Sequence, residues 1–264
     1  MARRGRSNEP LPPPLPPPMP PETRPIGQLV AEAIRLYGRR FWAALALGIP
    51  IGAFGALTNG LHGNDYLFYA LVPGAVLITL TYVGAAVIVA DRPVPRRRLV
   101  VAFVAGLIVF IPFPILVLGY VLPAIAWLAL VGLAVPAAVI EGTGVVASLK
   151  RGLKLGTADY IHSLGGMAAL GISFYLSTRV LALALNAGSG QAAEIARPLA
   201  EGALWPVVVL GASLLYFDQA ARVESGRPRS RRSRDADLHP ADEPDRPGRA
   251  DAEGEPRPAT GGQP

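Results

Sequence analysis

Long apolar runs separated by short polar segments dominate the chain between residues 41 and 217. Each run is near the ~20 residues that a helix needs to cross a bilayer. A soluble chain of this length would spread its apolar residues over amphipathic elements instead. The pattern therefore predicts an all-α, polytopic membrane helix bundle with about six transmembrane helices. The predicted spans are residues 41–57, 66–90, 99–118, 121–140, 161–185 and 199–217.

Two shorter segments are amphipathic rather than apolar, and the first precedes the first span. Residues 26–40 gather their apolar side chains on one helical face and Gln28, Glu32 and Arg35 on the other. Glu32 and Arg35 lie at a spacing that allows an ion pair along a helix. Phe41 and Trp42 follow directly, as is typical where a helix turns from the membrane surface into the bilayer. We expect an interfacial helix here.

The second amphipathic segment, residues 144–155, connects the fourth and fifth spans. At helical spacing its apolar side chains share one face and its basic side chains lie opposite. Thr143 is a candidate cap at its start, and Gly156 suits the left-handed residue that ends a helix. The segment either rests on lipid headgroups or packs as a loop on its own bundle. The apolar face is Val145, Val146, Leu149 and Leu153; the basic face is Lys150, Arg151 and Lys154.

The basic residues indicate an orientation. All but two of the 25 Lys and Arg lie in residues 1–40, 91–98, 141–160 and 218–264. The exceptions are Arg179, inside the fifth span, and Arg197, in a loop on the other side. By the positive-inside rule this predicts a multi-pass protein of the cytoplasmic membrane with both termini in the cytoplasm. The same distribution argues against nucleic acid as the partner, although the net charge is +6.

Both ends of the chain differ from the middle. The Pro-rich start, residues 1–25, predicts an extended or disordered cytoplasmic tail, with a docking ligand as the alternative. Residues 218–264 lose all periodicity and predict a second disordered cytoplasmic tail. The basic cluster at 227–234 either contacts anionic lipid or only stops translocation.

The sequence contains no recognisable catalytic constellation, and we expect no enzyme, cofactor or metal site. Its three histidines are scattered and it has no cysteine. The residues of interest are charges near the membrane. Arg179 and Glu201 could pair if their helices are neighbours, and the alternative is that Arg179 extends to the outer headgroups. Glu141 and Asp218 each end a span on the cytoplasmic side, within possible reach of Arg35, Lys150 and Lys154.

Three stretches carry a resemblance to a known family: IGQLVAEAIRLYGRRFW, VPAAVIEGTGVVASLKRGLKL and SLLYFDQAARVESG. They resemble the membrane-domain family related to glycerophosphodiester phosphodiesterase membrane regions, which includes stand-alone bacterial integral membrane proteins of unassigned function. The resemblance covers roughly residues 26–225 and implies a six-span bundle. In that family the phosphodiesterase activity belongs to a separate domain with a His-Arg-Gly motif, which this sequence lacks.

These observations predict a non-catalytic membrane protein that organises the membrane or binds a partner. The expected partners are membrane lipids, with anionic headgroups at the basic segments, and a protein partner is also possible. The alternative is a transporter or lipid-handling protein that uses the interior of the bundle.

Overall fold

A computed structural model describes residue 21, residues 24–185 and residues 190–225, without the side chains of residues 118, 185 and 190–194. The Pro-rich segment and the basic cluster of the predicted tails lie outside this part of the chain. The described residues form helices and no strands, so the prediction of an all-α membrane helix bundle is confirmed. The helices are α1 (Ile26–Arg39), α2 (Phe41–Leu57), α3 (Gly63–Tyr69), α4 (Ala75–Ala90), α5 (Arg96–Phe110), α6 (Phe113–Gly119), α7 (Val121–Val131), α8 (Ala134–Glu141), α9 (Val145–Ala158), α10 (Tyr160–Leu185) and α11 (Gly190–Glu224).

Several of these helices combine into membrane spans. A π-helical turn, Ala70–Gly74, joins α3 to α4 around Pro73. Such irregular turns and prolines are tolerated in membrane helices because neighbouring helices satisfy the freed backbone groups. Five described segments are long and apolar enough to cross a bilayer: Gly63–Ala90, Arg96–Val117, Val121–Glu141, Tyr160–Ala184 and Ile195–Glu224.

Helices α1 and α2 are joined by a bend of 104° at Arg40, and they make a sixth span if the bent pair is counted as one. A helix that meets a span at about a right angle can lie along the membrane surface. This arrangement fits the predicted interfacial helix followed by a span. Glu32 and Arg35 of α1 form the ion pair that their spacing predicted.

The first and last spans approach each other closely. A Cβ on Gly48 would overlap the backbone carbonyl of Gly202, and one on Gly52 would lie 2.9 Å from the carbonyl oxygen of Pro198. Small residues at this spacing let the backbones of α2 and α11 touch, which is the usual way for membrane helices to pack.

The core lies around α8, whose residues 134–139 are all buried. Helices α4, α5 and α9 pack around it. Apolar side chains such as Val109, Leu133 and Leu210 fill this region. Trp127 of α7 donates to the carbonyl oxygen of Val109 on α5 at 2.8 Å, which closes the hairpin around Gly119 and Tyr120.

The last helix extends beyond both of its predicted ends. It begins at Gly190 instead of 199 and continues to Glu224, past the predicted start of the tail at 218. The turn that carries Asp218, Gln219 and Arg222 is buried, whereas Glu224 at the end of the helix is exposed. Helix α11 therefore continues into a polar sequence, because the polar side chains there have partners in the bundle.

Candidate membrane-surface site

The end of the bundle where α8 and α11 terminate and α10 begins carries most of the described basic residues, and we call it the basic end. Helix α9 crosses the basic end, and its surface has three different faces. One face is fully buried and consists of small residues and one leucine: Ser148, Gly152, Leu155 and Gly156. A second, apolar face is exposed, with Val146 at 66% and Leu153 at 46%. The third face is basic.

The small residues hold α9 directly against the backbones of α7 and α8. A Cβ on Gly152 would lie 2.5 Å from the backbone nitrogen of Ala134, and one on Gly156 would lie 2.5 Å from the carbonyl oxygen of Leu130. No larger side chain fits at either position without a shift of the helix. Close packing of backbones, together with the buried Leu155, therefore fixes α9 to the bundle.

Two predicted ends of this segment are wrong. Gly156 does not end the helix, which continues to Ala158; the left-handed glycine is Gly142, after α8, with a φ of 73°. Thr143 does not cap the helix start, where Gly144 takes the cap position; its hydroxyl lies 2.8 Å from that of Ser148. Gly156 is a glycine because of the close contact described above.

One of the three cations on α9 has an internal partner. Nε of Arg151 donates to Oε1 of Glu141 at 2.6 Å, and the hydroxyl of Tyr216 donates to the same oxygen at 2.7 Å. The ion pair is about one quarter exposed. The hydrogen bond with Glu141 raises the pKa of the Arg151 guanidinium above its ordinary value. Glu141 therefore ties α9 to α11, and the expected contacts of Glu141 with Lys150, Lys154 and Arg35 are wrong.

The two lysines of α9 face away from the bundle. Lys150 and Lys154 are exposed and form no ion pair within the described part of the chain. They neighbour the exposed apolar face on the same helix. A surface with lysines beside valine and leucine can contact headgroups and the upper acyl chains at the same time.

A second polar cluster lies where α11 meets the starts of α1 and α10. Nη1 of Arg24 donates to Asp218 at 2.9 Å, and the Asp218 side chain is fully buried. Nη1 of Arg222 donates to Asp159 at 2.7 Å, and Nη2 lies 3.3 Å from the ring nitrogens of His162. The predicted proximity of Asp218 to Arg35 is wrong, because Arg35 pairs with Glu32 instead.

The other predicted pair, Arg179 with Glu201, is also wrong. Glu201 accepts from Nε of Arg197 at 2.8 Å, one turn earlier on α11. This pair exists because α11 starts at Gly190 and makes Arg197 helical. Arg179 lies with its guanidinium carbon 5.2 Å from the ring centre of Tyr175, an arrangement typical of a cation–π contact.

Sequence reasoning missed Arg24, His162 and Arg222 as members of a buried cluster. A signal was present for Arg222, because Asp218 and Arg222 are four residues apart and share a helical face. No signal exists for Arg24, which lies in a Pro-rich context far away in sequence. Among the described residues, no group of three His, Cys, Asp or Glu is arranged to hold a metal ion.

No protein-family model, curated protein or solved structure matches this chain. The five described helical segments that are long and apolar enough to cross a bilayer define a multi-pass membrane protein. The resemblance to the phosphodiesterase-related membrane domains stays a prediction.

Proposed function

We propose that this protein is a non-catalytic organising component of the cytoplasmic membrane, and that its basic end rests on anionic headgroups of the inner leaflet. The observation that carries this proposal is the orientation of α9. Its exposed apolar residues, Val146 and Leu153, lie beside the exposed Lys150 and Lys154, while a separate small-residue face holds the helix on the bundle.

This orientation favours the membrane surface over simple loop packing. If α9 were only a loop covering the bundle, all of its large apolar side chains would be expected on the buried side. Leu155 is fully buried and Leu149 packs partly against the core, but Val146 and Leu153 face outward. Burial of an apolar side chain in lipid contributes about 1.5–3 kcal/mol relative to exposure to water, so a headgroup–acyl boundary is the environment that suits this face.

The distribution of charge supports a cytoplasmic position for the basic end. Helix α9, the loop before α5 and the end of α11 bring their basic residues to one end of the bundle. The cytoplasmic leaflet is the one that carries anionic lipids, and each nearby Lys or Arg contributes about 1 kcal/mol of attraction to it. The basic end is therefore the cytoplasmic end.

The described interior gives less support to a transporter. The ion pairs of Glu141 and Asp218 lie at the basic end, whereas Arg197 and Glu201 lie near the start of the last span. Most side chains of the core between these groups are apolar, such as Leu210 and Val135, although α4 also buries Thr79, Thr81 and Tyr82 there. A path for ions or polar solutes needs polar groups along its length.

The test is lipid selectivity of a Lys150→Gln/Lys154→Gln variant, with Lys150→Arg/Lys154→Arg as the matched control. Purified protein is placed in nanodiscs that contain anionic phosphatidylglycerol and zwitterionic phosphatidylcholine, and the enrichment of the anionic lipid around the protein is measured. We expect the Gln variant to lose enrichment and the Arg variant to keep it. Equal enrichment for the parent and the Gln variant would contradict the proposal.

A further inference from the structure

A second group of cations at the basic end belongs to the start of α5, in the segment Arg92–Arg98. The side chains of Arg92 and Arg98 both donate to the carbonyl oxygen of Ile140, the Arg98 bond measuring 3.4 Å. These bonds satisfy a carbonyl in the last turn of α8. They also hold the start of α5 beside the turn that leads into α9.

A cavity of about 340 Å³ lies between these two elements. Its lining includes Arg97 and Arg98 from the start of α5 and residues 142–144 from the turn before α9. The guanidinium of Arg98 lies directly against Gly142, where a Cβ would collide with it. The positive φ of Gly142 and this contact both require glycine at that position. The turn at Gly142 therefore leaves room for the Arg98 guanidinium.

The charge of this cavity is not neutralised by its own walls. No carboxylate lines it. The two nearest acidic residues in sequence have other partners, since Asp91 pairs with Arg40 at 2.6 Å and Glu141 pairs with Arg151. Arg97 is exposed and forms no ion pair within the described part of the chain. Two adjacent guanidiniums beside an open cavity suit an oxyanion, and phosphate oxygens match their planar donors.

The membrane side of the cavity is apolar. Val101 lies at its edge, and the same face of α5 continues with Val104 and Ile108, which are 39% and 45% exposed. Positions 97, 101, 104 and 108 share a helical face, so an apolar strip begins directly below the arginines. A free phosphate has no apolar group that could contact this strip, whereas a phospholipid would place its acyl chain along it.

We propose that the cavity between Arg97, Arg98 and residues 142–144 binds the phosphodiester of one anionic phospholipid, with an acyl chain along Val104 and Ile108. The inference rests on the proposed function, because it requires the basic end to lie in the headgroup layer. It differs from that proposal in claiming one defined site with one bound lipid. The exposed lysines of α9 instead provide diffuse attraction.

The experiment titrates detergent-purified protein with phosphatidylglycerol or phosphatidylcholine of the same acyl chains and counts bound lipids by native mass spectrometry. We expect one phosphatidylglycerol to bind at least about tenfold more weakly to Arg97→Gln/Arg98→Gln than to the parent. Arg35→Gln/Arg39→Gln removes the same charge from the exposed face of α1 and should leave this first lipid bound. Equal weakening by both double variants, or by neither, would overturn the defined site.

The single variant Arg97→Gln controls for a folding defect, because the Arg97 side chain forms no hydrogen bond or ion pair within the described part of the chain. This single variant should still weaken the first lipid severalfold, and parent-like binding would overturn the assignment. Inorganic phosphate, tested separately at millimolar concentration, should not displace the lipid. Displacement would reassign the cavity to a soluble phosphate and overturn the lipid proposal.

The outcomes also separate the two proposals. Loss of anionic enrichment in Lys150→Gln/Lys154→Gln, together with unchanged binding in the Arg97 and Arg98 variants, would overturn the defined site alone. The reverse pattern would leave the defined site standing and contradict the role of the lysines.

Discussion

The carboxylate of Glu141 accepts a hydrogen bond from Arg151 at 2.6 Å and thereby joins the end of α8 to the middle of α9. The same oxygen accepts from Tyr216 of α11. This contact divides the cations of α9 into two kinds. Arg151 stabilises the bundle, whereas Lys150 and Lys154 remain available to the membrane.

The first prediction follows from this division. Arg151→Gln and Tyr216→Phe should each lower the free energy of unfolding by about 1–3 kcal/mol, because each leaves the partly buried Glu141 carboxylate with one donor fewer. Lys150→Gln is the control and should change it by less than about 0.5 kcal/mol. Unfolding in mixed micelles with increasing SDS measures the difference. A loss for Lys150→Gln as large as that for Arg151→Gln would contradict this arrangement.

The buried cluster at the start of α10 gives a second prediction. Arg222→Met should destabilise the protein by about 3 kcal/mol or more, since it leaves Asp159 without its charged partner in a largely buried site. Arg40→Met removes the ion pair with Asp91, in which both side chains are exposed, and should cost less than about 1 kcal/mol. The two variants are compared in the same unfolding assay. Similar losses would mean that burial does not distinguish the two ion pairs.

The contact of α2 with α11 gives a third prediction. Gly48→Ala introduces a methyl group where the carbonyl of Gly202 lies, and should destabilise the bundle by about 1–3 kcal/mol. Gly171→Ala is the matched control in another membrane helix, where no atom lies within 4 Å of the new methyl group. It should be neutral or slightly stabilising, because alanine favours helix over glycine. Tolerance of Gly48→Ala would contradict the close approach of the two backbones.

The orientation of the chain gives a fourth prediction, helped by the absence of native cysteine. Cysteines introduced at Asn59 and Gly188 should react with a membrane-impermeant thiol reagent added outside intact cells. Cysteines at Pro95 and Ser230 should react only after the cells are opened. Labelling of the Pro95 variant from outside would contradict a cytoplasmic basic end. Gly188 and Ser230 lie outside the part of the chain that the structure describes.

Hydropathy and charge alone predicted the class of fold and the amphipathic character of α1 and α9. These features were predictable because each is an average over many residues. About 20 apolar residues make a span, and one polar residue among them does not hide it. The pairing of Glu32 with Arg35 was predictable for a different reason, since both lie on one helix and the spacing fixes their distance.

The faces of α9 were only partly predictable. Its apolar stripe is real, but Val146 and Leu153 turn away from the bundle, and the buried face consists of Leu155 and three small residues, Ser148, Gly152 and Gly156. Small residues carry almost no hydropathy signal. Their role depends on how closely another backbone approaches, and that distance is a property of the tertiary structure.

The partners of the charges were the least predictable part. Arg24 meets Asp218 across almost the whole sequence, and Glu201 pairs within its own helix rather than with Arg179. An ion pair forms wherever two side chains end within a few ångströms of each other. Small errors in helix ends and rotations therefore change the partner completely.

The central claim is that α9 lies in the headgroup layer with its apolar face toward the acyl chains. The most direct test places a nitroxide spin label at positions 146, 150, 153 and 154, one at a time, in protein reconstituted into anionic vesicles. Collisions with oxygen, which concentrates in lipid, are compared with collisions with a water-soluble nickel complex. We predict high oxygen accessibility at positions 146 and 153 and high nickel accessibility at 150 and 154. Equal nickel accessibility at all four positions would mean that α9 stands free in water, and would contradict the account.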